Sequence, residues 1–169
     1  GPRGIERQSG CSNFFLGDEE TDWTIGVSSY RGILYENMYD GVDVRFHLVD
    51  GKVKYDLIVD GHVDIDTVRV RYRGVDGISI DPSTGDLLVS TRSGQVRDAR
   101  PVLFQGAREE GTPGSFELLD EFTHGFSLPD GISSDRPYVI DPGLEFSTYL
   151  GGSESDHGRA IDVDGEGNV

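Results

Sequence analysis

Residues 42–59 read VDVRFHLVDGKVKYDLIV, two runs of alternating apolar and polar residues joined by Asp50-Gly51. An Asp-Gly pair between alternating runs is the strongest local signal for a β-hairpin, because both central residues of a type I′ turn need positive φ. Counting outward from that loop pairs Val49 with Lys52, Leu48 with Val53, Phe46 with Tyr55 and Val44 with Leu57. Those last three pairs form a wholly apolar face, which is expected to point into the core. The opposite face pairs His47 with Lys54 and Arg45 with Asp56, an arrangement of unlike charges that cross-strand pairing favours. A slip of one residue would turn the apolar set into water, so the register is strongly specified.

The rest of the chain is punctuated in the same way. Residues 1–13 are polar and Gly-rich and read as a flexible lead-in. Asn13–Trp23 (NFFLGDEETDW) mixes aromatics with an acidic turn, and Gly32–Tyr35 reads as a strand. Val68, Val70 and Tyr72 alternate with Arg69, Arg71 and Arg73, the pattern of a half-buried strand. Gly77–Ile80 and Leu87–Thr91 flank the turn DPSTGD and make another hairpin. Pro101–Gln105 is expected at an edge because of its proline. Ser115–Leu119, Phe122–Leu128 and Tyr138–Ile140 follow as strands, and Asp141-Pro142-Gly143 reads as a turn. No segment keeps a helical period over three turns. Short strands about ten residues apart, separated by turn residues, define an all-β, antiparallel, sandwich-like domain built of hairpins. Its expected extent is residues 14–144.

Charge narrows the partners. The formal net charge is −16, from 31 acidic residues against 15 basic ones. Such a surface disfavours nucleic acid and anionic membrane as partners, since phosphates are attracted by Lys and Arg. No apolar run is long enough for membrane insertion as a helix. Only Lys52 and Lys54 are lysines; the other basic residues are arginines. An acid-rich, lysine-poor surface fits an archaeal halophile, in which salt screens the self-repulsion. A GC-rich genome favouring Arg over Lys is the alternative. Cys11 is the single cysteine, so no internal disulfide forms.

Chemistry-bearing clusters are few. Asp162, Asp164, Glu166 and Asn168 in DVDGEGN alternate oxygen ligands around glycine, as a Ca2+ loop does. A tight turn with Asp and Gly chosen for backbone reasons accounts for the same residues. Arg69, Arg71 and Arg73 share one strand face and would suit an anionic glycan or a partner's carboxylates, or simply a solvated sheet face. His47, His62, His124 and His157 lack metal-ligand spacing. There is no nucleophile elbow, no phosphate-cradling loop and no paired-Cys motif. The expectation is therefore a protein that is not an enzyme.

Five stretches together resemble a known family: NFFLGDEETDW, YENMYDGVDVRFHLVDGKVKYDLIV, RVRYRGVDGISID, SGQVRDARPVLFQ and RPYVIDPGL. They are similar to the β-rich domain of unknown function that precedes SBBP-type β-propeller repeats in secreted bacterial and archaeal proteins. Tyr39, Gly41, Val42, Asp43, Val53, Tyr55 and Asp56 fall on its hairpin pattern. Residues 145–169 resemble the start of one SBBP repeat, with Ser147-Thr148-Tyr149-Leu150-Gly151-Gly152 and a later Asp-x-x-Gly-Asn turn. The family brings no assigned catalytic residues. The resemblance implies an extracellular, cell-surface or secreted structural or adhesion module, whose partners are other protein subunits or the rest of its own propeller. A second reading makes it a filament subunit built by strand complementation. There Phe146, Ser147, Thr148, Tyr149 and Leu150 would be the donated strand, and strands missing before residue 14 would leave an acceptor edge. A third, a glycan-binding module, rests on Trp23 and the arginine stripe.

If the acidic surface is an adaptation to brine, the melting temperature should rise between low and molar KCl, as screening relieves the repulsion of a −16 charge. A flat or falling melting temperature in the same titration would favour the genomic explanation.

Overall fold

A computed structural model describes residues 1–49, 52–106 and 110–145. The strands in chain order are β1 (Arg3–Phe14), β2 (Thr24–Tyr39), β3 (Val42–Val49), β4 (Lys52–Val59), β5 (Val70–Arg71) and β6 (Gly77–Ile80). They continue with β7 (Leu87–Thr91), β8 (Gly94–Phe104), β9 (Thr112–Pro113), β10 (Ser115–Leu118), β11 (Thr123–Ser127) and β12 (Tyr138–Glu145). The fold is all-β and antiparallel. A nine-stranded sheet runs β1-β2-β3-β4-β12-β8-β7-β6, with β9 added on β8, and a three-stranded sheet runs β10-β11-β5. The buried core joins Val42, Val59, Leu87, Leu103 and Ile140 of the large sheet to Val68, Phe116 and Phe126. Neither sheet closes on itself, and the architecture is sandwich-like.

The hairpin register is the one that alternation demands. Val49 pairs with Lys52, Phe46 with Tyr55, Arg45 with Asp56, and the ladder continues to Val42 with Val59. The turn residues Asp50 and Gly51 lie outside the described residues. At the other end of β3, Gly41 at φ 72° makes the tight turn from β2, a conformation that glycine adopts without steric penalty. A Cβ there would stand 2.7 Å from Val63 Cγ2.

Burial of the apolar face departs from expectation. Exposure along β3 climbs from 0% at Val42 and 7% at Val44 to 36% at Phe46 and 57% at Leu48. Tyr55 is buried, but Val53 beside Leu48 is 45% exposed. The core therefore covers only the base of the hairpin, and Phe46 stands at its margin rather than inside it. The supposedly solvated face differs too. The Asp56 side chain is only 3% exposed, and it accepts from Arg45 Nε at 2.7 Å and again from Arg45 Nη2.

Three other expectations are corrected. Residues 3–14 are strand β1, paired with β2 from Arg3↔Leu34 to Phe14↔Thr24, not a loose lead-in. Asp141-Pro142-Gly143 is not a turn; it is an irregularity inside β12. Pro101 is not at an edge but deeply buried within β8. The last two have one cause. β12 pairs with β4 only at Tyr138, Val139 and Ile140, then shifts register at Asp141–Gly143 and continues on β8. Pro142 has no N–H to offer a ladder, so pairing with β4 ends where the proline begins. On β8 the same break falls at Arg100–Pro101, between Asp98, which pairs with Leu87 of β7, and Val102, which pairs with Pro113 of β9.

This burial gradient orders three substitutions. Tyr55→Ala should destabilise by about 3–5 kcal/mol, as large-to-small changes in cores do. Arg45→Ala should cost about 1–3 kcal/mol, because it strips donors from a buried carboxylate. Leu48→Ala should cost under about 1 kcal/mol, since the side chain is half in water. Urea unfolding checks the order; a Leu48→Ala loss as large as that of Tyr55→Ala would mean that the hairpin tip is covered.

Candidate functional site

Where β3 and β4 leave the core, their apolar face forms the floor of a groove of about 380 Å³. Val44, Phe46, Tyr55 and Leu57 line that floor, and the segment Val68–Tyr72 makes the opposite wall. Alternation places Val68, Val70 and Tyr72 on the inner side of that wall. Strand β5 is the edge of the small sheet, so the groove runs along the seam between the two sheets. Tyr39 ties its two sides together, donating its hydroxyl to the Arg69 carbonyl at 2.7 Å.

The arginine stripe falls here in part. Arg69 and Arg71 border the groove, whereas Arg73 lies beyond β5 and is exposed. Arg71 Nη1 is 3.7 Å from Asp120 Oδ2, with both side chains largely in water. The alternation of Val68, Val70 and Tyr72 marked the wall in the sequence. Its pairing with Met38, Tyr39 and Phe46 across the seam is set by tertiary structure and had no local signal.

Behind the groove lies a buried polar line that sequence reasoning missed. The Tyr55 hydroxyl donates to Asp98 Oδ2 at 3.1 Å. Asp98 is wholly buried, and its other carboxylate oxygen has no hydrogen-bond partner among the described residues. Burial pushes its pKa up to about 7, against the opposing pull of the Tyr55 hydrogen bond and Lys54; Asp141 and Asp86 add to the rise. Burial, followed by the Asp98 charge, also raises the pKa of Tyr72. Tyr72 stacks on His124 at 6.0 Å between ring centroids. His124 is enclosed edge-on by Phe116 and Phe126, and burial pushes its pKa down to about 4, with a contact to the Gly125 carbonyl acting against it. Its ring is therefore neutral at pH 7. The available signal for Asp98 was its place in β8: it shares a face with Val96, where the period of two calls for an apolar residue.

A second carboxylate cluster sits on the other face of the hairpin. His47 Nδ1 lies 3.4 Å from Asp56 Oδ2, and Asp141 has its pKa raised, first by burial and then by the Asp56 charge. The oxygen-rich turn DPSTGD has its two carboxylates partnered, one within the turn and one from β8. Asp81 accepts from the Ser83 amide and hydroxyl, and Asp86 accepts from Arg97 and the Arg100 amide. Among the described residues no group of three or more His, Cys, Asp or Glu is placed to hold a metal ion. The candidate Ca2+ ligands Asp162, Asp164, Glu166 and Asn168, and the candidate donor strand Phe146–Leu150, lie outside the described residues. Trp23 packs edge-on against Phe15 and donates its indole N–H to the Gly17 carbonyl. No helix among the described residues is long and apolar enough to cross a membrane, which says nothing of a β-barrel.

A family model described as a Domain of unknown function (DUF7948) matches residues 2–143. No curated protein and no solved structure matches the chain significantly. The matched range takes in β1, so the first strand belongs to the family's domain.

The two buried titratable groups should give opposite pH slopes. Asp98 has a folded pKa of about 7 against an ordinary 3.8, so its stabilising share is complete below pH 3.8 and is lost as pH rises through 7. The loss is on the order of 4 kcal/mol. His124 moves from 6.5 to about 4, so its share is present above pH 6.5 and is lost as pH falls toward 4, on the order of 3 kcal/mol. Asp98→Asn should gain stability relative to the parent as pH rises from 4 to 8, and His124→Gln should gain as pH falls over the same range. Urea midpoints at several pH values read both; two variants that track the parent in parallel would show that neither group titrates as described.

Proposed function

The chain belongs to this domain family of unknown function, and we propose that it serves as a non-enzymatic structural or adhesion module of a secreted or cell-surface protein, normally leading into SBBP-type propeller repeats. The observation that carries this reading is the apolar surface left open beyond the core. Ile33, Phe46, Leu48 and Val53 lie side by side across β2, β3 and β4, and each is 36–57% exposed. Contiguous exposed apolar surface marks protein–protein contact in soluble proteins. The sheet presents it on long, register-locked strands, a rigid platform suited to holding another subunit or the next domain. Its partners, on this reading, are protein surfaces. A filament assembled by strand complementation is the second reading, favoured by one feature: β4 has no partner on its β12 side at Val53–Asp56 among the described residues, so an acceptor edge is available for a donated strand such as Phe146–Leu150.

Two full-length variants test these readings. Ile33→Ser/Leu48→Ser/Val53→Ser should abolish binding of the labelled protein to the surface of its source cells, followed by flow cytometry, with little change in melting temperature. Binding that survives the triple change would remove the apolar platform as the contact. Thr148→Pro should block a donated strand by deleting a ladder N–H, and filaments that persist unchanged under the electron microscope would remove strand donation.

A further inference from the structure

The β1–β2 hairpin extends well past the sheet that anchors it. Gly32, opposite His47, is the β2 residue nearest the arm's tip that still pairs with β3. The arm continues back to Thr24, opposite Phe14, roughly 25 Å further at strand rise. Its tip is a compact knob. Phe14, Phe15 and Leu16 are 49–65% exposed, and Phe15 and Trp23 meet edge to face at 5.1 Å. A 3₁₀ turn at Glu20–Asp22 closes the loop. Asn13–Trp23 also holds Asp18, Glu19, Glu20 and Asp22, and not one basic residue.

The groove on the body is its complement in both respects. It is apolar and aromatic inside, and it is bordered by Arg69 and Arg71 on a chain whose net charge is −16. Its volume of about 380 Å³ lies in the lower part of the roughly 300–1,000 Å³ range of binding pockets, room for one or two large side chains. The knob cannot reach the groove of its own chain. Met38, on the groove, and Thr24, at the base of the knob, lie at opposite ends of β2, roughly 45 Å apart along the strand. The loop of residues 15–23 reaches back no more than about 15 Å.

We infer that the Phe15–Leu16 knob of one copy docks in the Tyr39–Phe46–Tyr72 groove of a second copy, with the knob's carboxylates facing Arg69 and Arg71. Knob and groove are different surfaces, so the contact is heterologous and leaves a free knob at one end and a free groove at the other. Repetition then gives a head-to-tail chain rather than a closed dimer, unless the rotation between copies closes a ring. The contact is one knob of two or three side chains in one groove, small beside the roughly 800 Å² per partner of standard stable interfaces, so association is weak and concentration-dependent. It uses no donor strand and touches the platform only at Phe46, which lines the groove, so it is tested apart from Ile33, Leu48 and Val53.

Sedimentation velocity of the full-length protein over a concentration series tests this, with the fluorescence of Trp23, the chain's single tryptophan, as a second reading. The parent should form a ladder of oligomers, and Trp23 emission should shift to the blue as they form. Phe15→Ser/Leu16→Asp disables the knob and Arg69→Glu/Arg71→Glu disables the groove border, all at exposed positions. Each variant alone should associate about tenfold more weakly or worse, as loss of an interface anchor does. Their equimolar mixture should form a one-to-one dimer and nothing larger, because only one knob and one groove remain competent. Thr148→Pro should leave the ladder intact, which separates this contact from strand donation. A parent that stays monomeric at millimolar concentration with unshifted Trp23 emission would overturn the inference and leave the groove to a different ligand. Variants that associate like the parent, or a mixture that forms no dimer, would overturn it equally.

Discussion

One strand holds the large sheet together. β12 comes from the C-terminal end of the described chain and is inserted between β4 and β8. Without it the N-terminal strands β1–β4 and the later strands β6–β9 would be two separate sheets. Its grip is uneven: three residue pairs on β4 and six on β8, with a register shift inside the β8 pairing at Asp141–Gly143. The shift follows from Pro142, which cannot donate to a ladder, and it is matched across the sheet by Pro101. Both prolines are buried at this irregularity, where their missing N–H groups leave no unpaired donor. Core residues lie on all three strands of this junction, with Ile140 paired to Leu57 on one side and to Leu103 on the other. Closing such a pairing joins residues far apart in sequence, which makes the insertion of β12 entropically demanding.

The same departure of β12 opens the surfaces on which the proposed contacts rest. Once the strand leaves β4, the hairpin beyond Leu57 has support on one edge only, and its apolar face runs out of covering layer. Part of that face becomes the groove floor, part the exposed platform of Ile33, Phe46, Leu48 and Val53. Tyr55 stands at the boundary. Its ring lines the groove while its hydroxyl reaches inward to Asp98, so groove shape and the state of a buried carboxyl are linked through one side chain. His124, on the far side of Tyr72, belongs to the same buried assembly.

What could be read in advance follows a physical division. The register of residues 42–59 was legible because alternation and an Asp-Gly pair are local signals, and every pair from Val44↔Leu57 to Val49↔Lys52 is present. The depth of burial was not, because whether Phe46 or Leu48 is covered depends on a second sheet distant in sequence. Strand β1 was illegible for another reason: RGIERQSGCSNF has no alternation to read, and both faces of the arm are largely in solvent. It is a strand because β2 offers an edge. Asp141-Pro142-Gly143 misled because Pro-Gly is ordinary turn chemistry, and only the break opposite it on β8 turns it into a bulge. Arg69 and Arg71 were found as a stripe, yet the groove that gives them a context exists only once Tyr39 bridges to the Arg69 carbonyl.

β12 is the link between the two halves of the sheet, and amide hydrogen exchange resolved by residue tests that link most directly. The account predicts that ladder amides among Leu57–Val59 and Tyr138–Ile140, and those of β8 at Val102–Phe104, exchange only through global unfolding and share one opening free energy. Amides of the β1–β2 arm should exchange at far lower protection. If the β4–β12 amides instead exchange as readily as those of the arm while β8 stays protected, the halves open independently and β12 is not the link described.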